Sequence, residues 1–185
     1  RMRGRDKLLE PVGGRPLLAE RVAAARESAA AGVIVTLPPA PRDAPRRAAL
    51  AGLDVTVLPV ADADEGMAAS IRKAVASLPE GAAGLAILPP DMPAVTTADI
   101  DRVLGAFASD PGHVWRAATA TGVPGHPVVF PRRLFSRLLR VSGDTGGRSV
   151  LRSERVRLCP LPDDHATLDL DTPEAWAAWR ARTGH

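Results

Sequence analysis

The sequence predicts an α/β protein with three layers (α/β/α), in which helices cover both faces of a mostly parallel sheet. Short apolar segments typical of buried strands alternate with helical segments through the first half of the chain. Three strand–helix units in a row favour parallel strands joined by right-handed crossovers. The second half departs from this alternation, so we expect a mixed sheet there. With 185 residues, of which 45% are hydrophobic, the chain can form one domain with a substantial core.

The predicted helices are bounded by residues that favour helix starts and stops. Pro16 lies in the first turn of the first helix and Gly32 ends it, while Thr97 is predicted to cap a later helix. Helices are expected over 16–31, 44–51, 66–78, 97–108, 132–140 and 173–181. Strands are expected where short apolar runs occur, over 33–37, 55–58, 85–88, 113–119, 126–130, 156–159 and 167–170.

The composition argues against several classes of protein. The net charge is only +3, the basic residues are scattered and aromatic residues make up 3% of the chain, which argues against a nucleic-acid-binding surface. No apolar run approaches the roughly 20 residues that span a bilayer. The single Cys159 excludes an internal disulfide framework and lies in a strand-like segment, so we expect a core thiol and a cytoplasmic location.

Two common kinds of cofactor site also lack their sequence patterns. His113, His165 and His185 show no metal-ligand spacing, which argues against a zinc site. The Rossmann glycine fingerprint is absent, which argues against a nicotinamide-dependent oxidoreductase. Since no repeat or low-complexity linker divides the chain, residues 1–185 are expected to form a single domain.

The segment most informative about function is Asp91-Met92-Pro93, which follows the apolar run 84–90. A strand that ends at a carboxylate places one negative charge at the carboxyl edge of the sheet, where ligands bind in open α/β folds. Such a carboxylate suits magnesium, which takes one or two carboxylates together with substrate phosphates. The alternative is a solvated Asp91 in an ordinary loop before a helix.

The chain begins with a basic loop, Arg1-Met2-Arg3-Gly4-Arg5-Asp6-Lys7, that has no strand before it. In a nucleotide-binding α/β fold, a strand normally leads into such a loop, whose backbone N–H groups and lysine hold phosphates. We therefore expect that this chain lacks the first strand and most of the Gly-rich nucleotide loop. A frayed basic terminus is the alternative.

Five segments in order resemble the molybdenum cofactor cytidylyltransferase family, a branch of the nucleotidyltransferases with a molybdopterin-guanine-dinucleotide-synthase-like fold. The resemblance extends from Arg1 to about Trp179. The segments are Arg1-Met2 through Lys7-Leu8-Leu9 and Gly14-Arg15-Pro16-Leu17-Leu18; Gly66-Met67-Ala68-Ala69-Ser70-Ile71-Arg72; Asp91-Met92-Pro93; Gly125-His126-Pro127 with Gly143-Asp144-Thr145-Gly146-Gly147-Arg148; and Asp169-Leu170-Asp171-Thr172-Pro173-Glu174. The fourth favours the cytidylyltransferase branch, because the guanylyltransferase branch usually lacks both of its motifs.

The resemblance implies a nucleotide-diphospho-sugar-transferase-like fold and an enzyme that transfers CMP from CTP to the phosphate of molybdopterin, releasing pyrophosphate. Because the acceptor is already a phosphate oxyanion, positioning and charge neutralisation replace a strong general base. Magnesium is the implied cofactor. CTP, molybdopterin or molybdenum cofactor, and a molybdenum hydroxylase are the implied partners.

Within this resemblance, Lys7, Asp91 and Asp171 form the expected catalytic group. Asp91 and Asp171 match the two metal-ligand positions, and Asp169 would assist because it shares a face with Asp171 if this segment is a strand. Asp171 also fits a helix N-cap before Pro173, a role that does not exclude metal binding. Lys7 is expected to bind the β- and γ-phosphates, since a flexible point charge can follow a leaving pyrophosphate.

The remaining site residues are assigned to the nucleotide and the acceptor. Arg5 is expected to add to the phosphate site unless it is simply solvated, and Ser70 is expected to bind ribose or phosphate unless it is a helix-surface hydroxyl. His126 is expected near the acceptor as a neutral donor, with a structural histidine as the alternative. Arg148 is expected to clamp the molybdopterin phosphate, with Asp144 beside it. An Asp144–Arg148 pair that only orders the loop is equally consistent with the spacing.

Departures from the family pattern leave base specificity open. Pro90 stands where Gly or Ala usually precedes the aspartate, Ala69 stands where Ser is common, and Arg3 is an extra residue in the opening loop. Three other functions therefore remain: a nucleotidyltransferase that uses GTP or another phosphate acceptor, a non-catalytic molybdenum cofactor-binding or insertion protein, and an oxidoreductase built on this fold.

Overall fold

The computed structural model of the chain describes residues 6–143 and 146–184. Two of the predicted site residues, Arg5 and Asp144, lie outside the described residues. Within these two ranges, no helix is both long enough and apolar enough to cross a membrane.

The helices and strands alternate along the first half of the chain, as the sequence predicts. The α-helices are α1 (Leu17–Arg26), α2 (Ala44–Ala49), α3 (Met67–Ala76), α4 (Thr97–Ser109), α5 (Phe135–Leu138), α6 (Arg148–Leu151) and α7 (Pro173–Thr183). The strands are β1 (Pro11–Val12), β2 (Arg15–Pro16), β3 (Ile34–Leu37), β4 (Thr56–Pro59), β5 (Gly84–Ile87), β6 (Val114–Ala118), β7 (Pro124–Pro131) and β8 (Val156–Pro160).

The pairing of the strands confirms a mixed sheet in the second half and a parallel pair in the first half, whereas the third predicted strand, β5, pairs with β7. In the described part of the chain, β3 and β4 pair in parallel, and a four-stranded sheet has the order β5-β7-β6-β8. Strand β7 runs antiparallel to both β5 and β6, while β8 is parallel to β6. Therefore β5, β6 and β8 point the same way, and only β7 is reversed among these four strands.

Both faces of the four-stranded sheet are covered, which gives the three predicted layers. Along β7, Val128 and Phe130 pack in a cluster with Ile71 of α3 and Leu138 of α5. Val129, between them, packs with α4 residues on the other face. The alternation follows from the period of two residues in a strand.

A separate core lies against β3, where α1 and the closing helix α7 meet. Leu17 and Leu18 of α1 are at most 2% exposed and pack with Trp176 and Trp179 of α7. The two tryptophan rings meet edge to face, with centroids 6.0 Å apart. This core ties the carboxyl end of the chain to its first helix.

Three sequence predictions about local structure are wrong. Residues 167–170 form no strand, because the chain turns there: the N–H groups of Thr167 and Leu168 donate to Asp164 O at 2.9 and 2.8 Å. Thr96, rather than Thr97, caps α4, since its side chain accepts from Asp99 N. The predicted helix over 132–140 is a 3₁₀ turn (Arg132–Leu134) followed by the short α5.

Other local predictions are confirmed. Cys159 is buried in β8 and is a free thiol, and the pKa of this thiol is raised by burial. The strands predicted over 113–119, 126–130 and 156–159 correspond to β6, β7 and β8. Helix bounds differ from the predictions mainly at their ends, where sequence patterns are weakest.

Candidate active site

One lysine and two aspartates from distant parts of the chain meet beyond the carboxyl end of β5. The Nζ of Lys7 donates a 2.6 Å hydrogen bond to Asp91 Oδ2, and it also donates to Asp171 Oδ1. The side chains of Lys7 and Asp91 are 27% and 22% exposed, whereas that of Asp171 is 64% exposed. The structure therefore brings together the three residues that the sequence predicts as a group, and leaves the group open to solvent beside Asp171.

Lys7 is held in place by the 3₁₀ turn Lys7–Leu9 and by the residue before it. Asp6 Oδ1 accepts from Leu8 N at 3.1 Å, and both Asp6 oxygens accept from Arg46 of α2, at 2.7 and 3.1 Å. Burial opposes ionisation of Asp6, but the hydrogen bonds from Arg46 and Leu8 outweigh it and the pKa of Asp6 is lowered. Leu8 anchors the turn in the core.

The loop that carries Asp91 is fixed by burial of the residues after it. Met92 and Val95 are 4% and 0% exposed and pack with Ile100 of α4. Arg21 of α1 donates from Nη1 to Val95 O, while its Nε is buried and has no hydrogen-bond partner among the described residues. Burial lowers the pKa of Arg21. A buried cation thus clamps the backbone four residues after Asp91.

The same loop ends in a capping box that connects to a second loop. Thr96 N and Oγ1 donate to Asp99 Oδ2 at 2.9 and 2.8 Å, and Asp99 N donates to Thr96 Oγ1 at 3.2 Å. His165 Nδ1 lies 2.8 Å from the same Asp99 oxygen. The loop over 162–167 is thereby joined to the start of α4, and a cavity of about 600 Å³ lies between this loop, the Pro93 loop and α7.

Asp171 is positioned by the residues on each side of it. Leu170 is 1% exposed, and its carbonyl accepts from Trp176 Nε1 at 3.2 Å. Thr172 caps α7, because its side chain accepts from Ala175 N at 3.1 Å. The alternative that Asp171 itself is the N-cap is therefore wrong, and its carboxylate is directed to Lys7 instead.

Charges within this group stabilise one another. The hydrogen bond and charge of Lys7 lower the pKa of Asp171. Burial of Lys7 acts to lower its pKa, but the two carboxylates outweigh burial and raise it. At neutral pH the group therefore holds one ammonium between two carboxylates.

The donor set fits a hard divalent cation. Two carboxylate oxygens that both bind one ammonium group are close enough to share a single metal ion, and magnesium commonly takes one or two carboxylates with phosphate oxygens and water. Among residues 6–143 and 146–184, no cluster of three or more His, Cys, Asp or Glu side chains could hold a metal. A cation at Asp91 and Asp171 would therefore take its other ligands from substrate and water.

Asp169 does not join this group. The prediction that Asp169 shares a strand face with Asp171 is wrong, because residues 167–170 do not form a strand. The Asp169 side chain is exposed. Ser70 lies in the first turns of α3 and is partly buried. Within residues 6–143 and 146–184, no hydrogen bond of the Ser70 side chain distinguishes a ligand-binding role from that of a helix-surface hydroxyl.

The start of β7 lies beside the Asp91 loop. The β5–β7 ladder ends at Ile87↔Val128, so the residues before Val128 lie next to the residues that follow β5. His126 N donates to Ala166 O at 2.8 Å. Gly125 makes this contact possible, because a Cβ at that position would lie 1.7 Å from the same oxygen.

His126 occurs in its neutral form at physiological pH. Burial, followed by the charges of Arg116 and Arg148, lowers the pKa of His126 to about 4, against a smaller opposing effect of Asp91. This low pKa agrees with the neutral imidazole expected from the sequence, while the placement of His126 near the acceptor stays a prediction. These electrostatic partners also show that Arg148 and Asp91 lie within interaction range of His126.

Arg116 is a site residue that the sequence analysis missed. It lies in β6 opposite Val128, and its Nε donates to Gly125 O at 2.8 Å. Burial and the charge of Arg148 lower the pKa of Arg116. The available signal was an arginine inside the otherwise apolar strand segment Val114-Trp115-Arg116-Ala117-Ala118.

Known proteins are similar to this chain in sequence and in overall fold. Residues 1–158 match the family described as the MobA-like NTP transferase domain. The chain belongs to this family. A probable molybdenum cofactor guanylyltransferase from Haloferax mediterranei is 36% identical over 132 residues, which are 71% of this chain and 60% of that protein. The chain thus matches well under two thirds of the length of this relative.

Solved structures support the same fold. The crystal structure of Rv0371c from Mycobacterium tuberculosis H37Rv superposes with a TM-score of 0.82 at 29% identity, covering 97% of this chain and 90% of that one. A complex of Rv0371c with manganese superposes with a TM-score of 0.78 at 29% identity, covering 93% and 89%. The predicted nucleotide-diphospho-sugar-transferase-like α/β fold is confirmed.

Proposed function

We propose that this protein is a nucleotidyltransferase that moves CMP from CTP to the phosphate of molybdopterin or molybdenum cofactor, with release of pyrophosphate. The observation that carries the proposal is the convergence of Lys7, Asp91 and Asp171 beyond β5. Membership of the MobA-like NTP transferase family supports nucleotidyl transfer as the class of reaction. The name of the curated relative supports molybdenum cofactor as the acceptor class.

Asp91 and Asp171 would hold the divalent cation, which would neutralise charge on the triphosphate when bound. Magnesium is the proposed ion, and the manganese complex of a similar structure supports a divalent metal. Lys7 would then turn from the carboxylates to the β- and γ-phosphates. Its ammonium group has three rotatable donors on a flexible stem, which suits this exchange of partners.

The transfer needs no proton acceptor from the protein. An acceptor phosphate oxygen forms a bond to the α-phosphorus, the bond from that phosphorus to the pyrophosphate oxygen breaks, and the electron pair leaves with pyrophosphate. The work of the protein is to align these groups and to offset charge in the transition state. Lys7, on the side of the leaving group, stabilises the pyrophosphate.

The choice of base separates two candidates of the same class. The motifs Gly125-His126-Pro127 and Gly143 to Arg148 support CTP, because they resemble the cytidylyltransferase branch. The name of the Haloferax relative, a guanylyltransferase, supports GTP as the second candidate. The free, buried thiol of Cys159 supports a reducing, cytoplasmic location, where a molybdenum hydroxylase is the proposed recipient of the product.

The proposal is tested by pyrophosphate release from CTP, GTP, ATP and UTP with molybdopterin and magnesium or manganese. The chain should release pyrophosphate fastest with CTP, and Asp91→Asn and Asp171→Asn should each lower the rate at least tenfold. Asp54→Asn is a matched control, because Asp54 is also paired with a cation, Arg26 of α1, and its side chain is 91% exposed. Preference for GTP would select the second candidate. Molybdopterin binding without pyrophosphate release from any nucleotide would instead favour a carrier or insertion protein.

A further inference from the structure

Arg116 is a partly buried cation whose observed hydrogen-bond partners are neutral. Its Nε donates to Gly125 O at 2.8 Å and its Nη2 to Pro124 O at 3.3 Å. In residues 6–143 and 146–184, no carboxylate forms an ion pair with it. Two carbonyl groups orient the guanidinium but leave its positive charge without a counterion there.

Several other arginines of the chain are paired with carboxylates instead. Arg72 pairs with the carboxylates of Asp62 and Glu65, and Arg46 pairs with Asp6. A cation that is desolvated without a counterion costs free energy. The arrangement at Arg116 therefore suggests that an anion from outside the chain supplies the missing charge.

Arg116 lies on the α3 and α5 side of the sheet, next to the start of β7. It is paired with Val128, and Val128 packs on the side of α3 and α5. The hydrogen bond from Arg116 Nε to Gly125 O holds the guanidinium beside the residue that precedes His126. Helix α6, which begins with Arg148, lies on this side too, because a Cβ at the preceding Gly147 would lie 3.1 Å from Phe130 and 3.9 Å from Ile71.

The charges on this face are concentrated. Arg148 lowers the pKa of Arg116, and both arginines lower the pKa of His126. The repulsion between two guanidinium groups would be relieved by an anion bound between them. Asp91, whose charge also reaches His126, places this face beside the carboxylates of the candidate metal site.

We propose that Arg116, together with His126 and Arg148, binds the phosphate monoester of the acceptor substrate, so that Arg116 determines specificity for a phosphorylated acceptor. This inference rests on the proposed nucleotidyl transfer, because that reaction identifies the bound anion as the attacking phosphate. A planar guanidinium suits a phosphate because it offers paired donors, and the neutral imidazole of His126 adds a single N–H donor.

The position of the basic face suits the attacking phosphate rather than the leaving one. In an in-line displacement, the attacking and leaving oxygens lie on opposite sides of the α-phosphorus. Lys7, with Asp91 and Asp171, is assigned to the triphosphate, and the start of β7 lies beside the Asp91 loop, next to the strand β6 that carries Arg116. An oxygen of a phosphate held by Arg116 would form the new bond to the α-phosphorus as pyrophosphate departs, with no proton transferred.

The first test separates the affinity for the acceptor from the affinity for the nucleotide. Arg116→Gln should raise the KM for molybdopterin at least tenfold and leave the KM for CTP within about twofold. Arg132→Gln is the matched control, since Arg132 also donates to two carbonyl groups, those of Glu80 and Ala82, but is exposed away from the site. A raised KM for CTP with an unchanged KM for molybdopterin would overturn the assignment.

A second test does not depend on turnover. Phenyl phosphate, a simple phosphate monoester, should shift the Arg116 Nε–H signal of the ¹⁵N-labelled wild-type chain in NMR spectra. Its affinity should fall at least fivefold in Arg116→Gln and less in Arg116→Lys, which keeps the charge. An unmoved Arg116 signal, or equal affinity in wild type and Arg116→Gln, would overturn the proposal even if nucleotidyl transfer is established. A shifted signal in a chain without transferase activity would retain the anion site and refute the proposed reaction.

Discussion

Replacing His126 by Gln should make the stability of the folded chain less dependent on pH. In wild type, the imidazole has a pKa of about 4, because of burial and the charges of Arg116 and Arg148. The unfolded chain has a histidine pKa of about 6.5. As the pH falls through this window, the unfolded state binds a proton that the folded state does not, so stability decreases on acidification and is fully present above about pH 6.5.

The magnitude follows from these two pKa values. At pH 7.5 neither state is protonated at His126, so its contribution is close to zero. At pH 5 the unfolded histidine is almost fully protonated and the folded one is mostly neutral, which corresponds to about 2 kcal/mol of lost stability. His126→Gln removes this loss. Between pH 7.5 and pH 5, the free energy of unfolding of the variant should therefore gain about 2 kcal/mol relative to that of wild type.

Urea unfolding at pH 7.5 and pH 5 measures this change, with both proteins compared at each pH so that other titrating groups cancel. A difference between the two proteins that is the same at both pH values would refute the reasoning. Arg148→Gln tests the cause, because it removes one of the charges that act on the imidazole. In that variant, the NMR-measured pKa of His126 should rise towards its ordinary value, and an unchanged pKa would show that the charge of Arg148 does not contribute.

Three further substitutions should change binding or stability in a stated direction. Lys7→Met should strengthen binding of manganese alone by about threefold, because the ammonium no longer competes for Asp91 and Asp171. The same substitution should weaken binding of the manganese–CTP complex by about tenfold, because a donor to the phosphates is lost. Equilibrium dialysis measures both affinities, and equal effects on the two would contradict the proposal that Lys7 binds the carboxylates and then the phosphates. In urea unfolding, Gly125→Ala should lower the free energy of unfolding by about 2–3 kcal/mol, since its Cβ would lie 1.7 Å from Ala166 O. The control Gly105→Ala, at an open position in α4, should raise the free energy of unfolding by up to about 1 kcal/mol. Thr96→Ala should cost about 1–2 kcal/mol by removing the cap of α4 and a donor to buried Asp99; a loss under a few tenths, measured by thermal unfolding, would show that the capping box contributes little.

The sequence predicts those parts of the molecule that depend on local patterns. Apolar runs of four to five residues correspond to strands, and the clearest case is β7, where Val128 and Val129 are buried on opposite faces of the sheet. The aspartate after β5 was predicted to reach the ligand-binding edge of the sheet, and it contacts Lys7 across 84 positions of sequence. Strand order and the reversal of β7 depend on long-range pairing, and the sequence pattern alone did not specify them.

The errors have the same physical origin. Leu168 and Leu170 alternate with polar residues and so resemble a strand, but turns to Asp164 and packing of Leu170 on Trp176 determine the local backbone. Arg116 carries no motif, and its importance emerges only when β6 and β7 pair and bring it beside His126. Asp171 was correctly grouped with Asp91 through the family resemblance, since neighbouring sequence alone favoured a helix cap at that position.

Binding of manganese with nucleotide is the most direct measurement of the central claim that Asp91 and Asp171 share one divalent cation. Electron paramagnetic resonance can count free manganese in the presence of CTP for wild type, Asp91→Asn, Asp171→Asn and the control Asp54→Asn. Each site variant should weaken metal–nucleotide binding at least tenfold, while Asp54→Asn should bind as wild type does. Binding of equal strength in wild type and in either site variant would contradict the shared metal site.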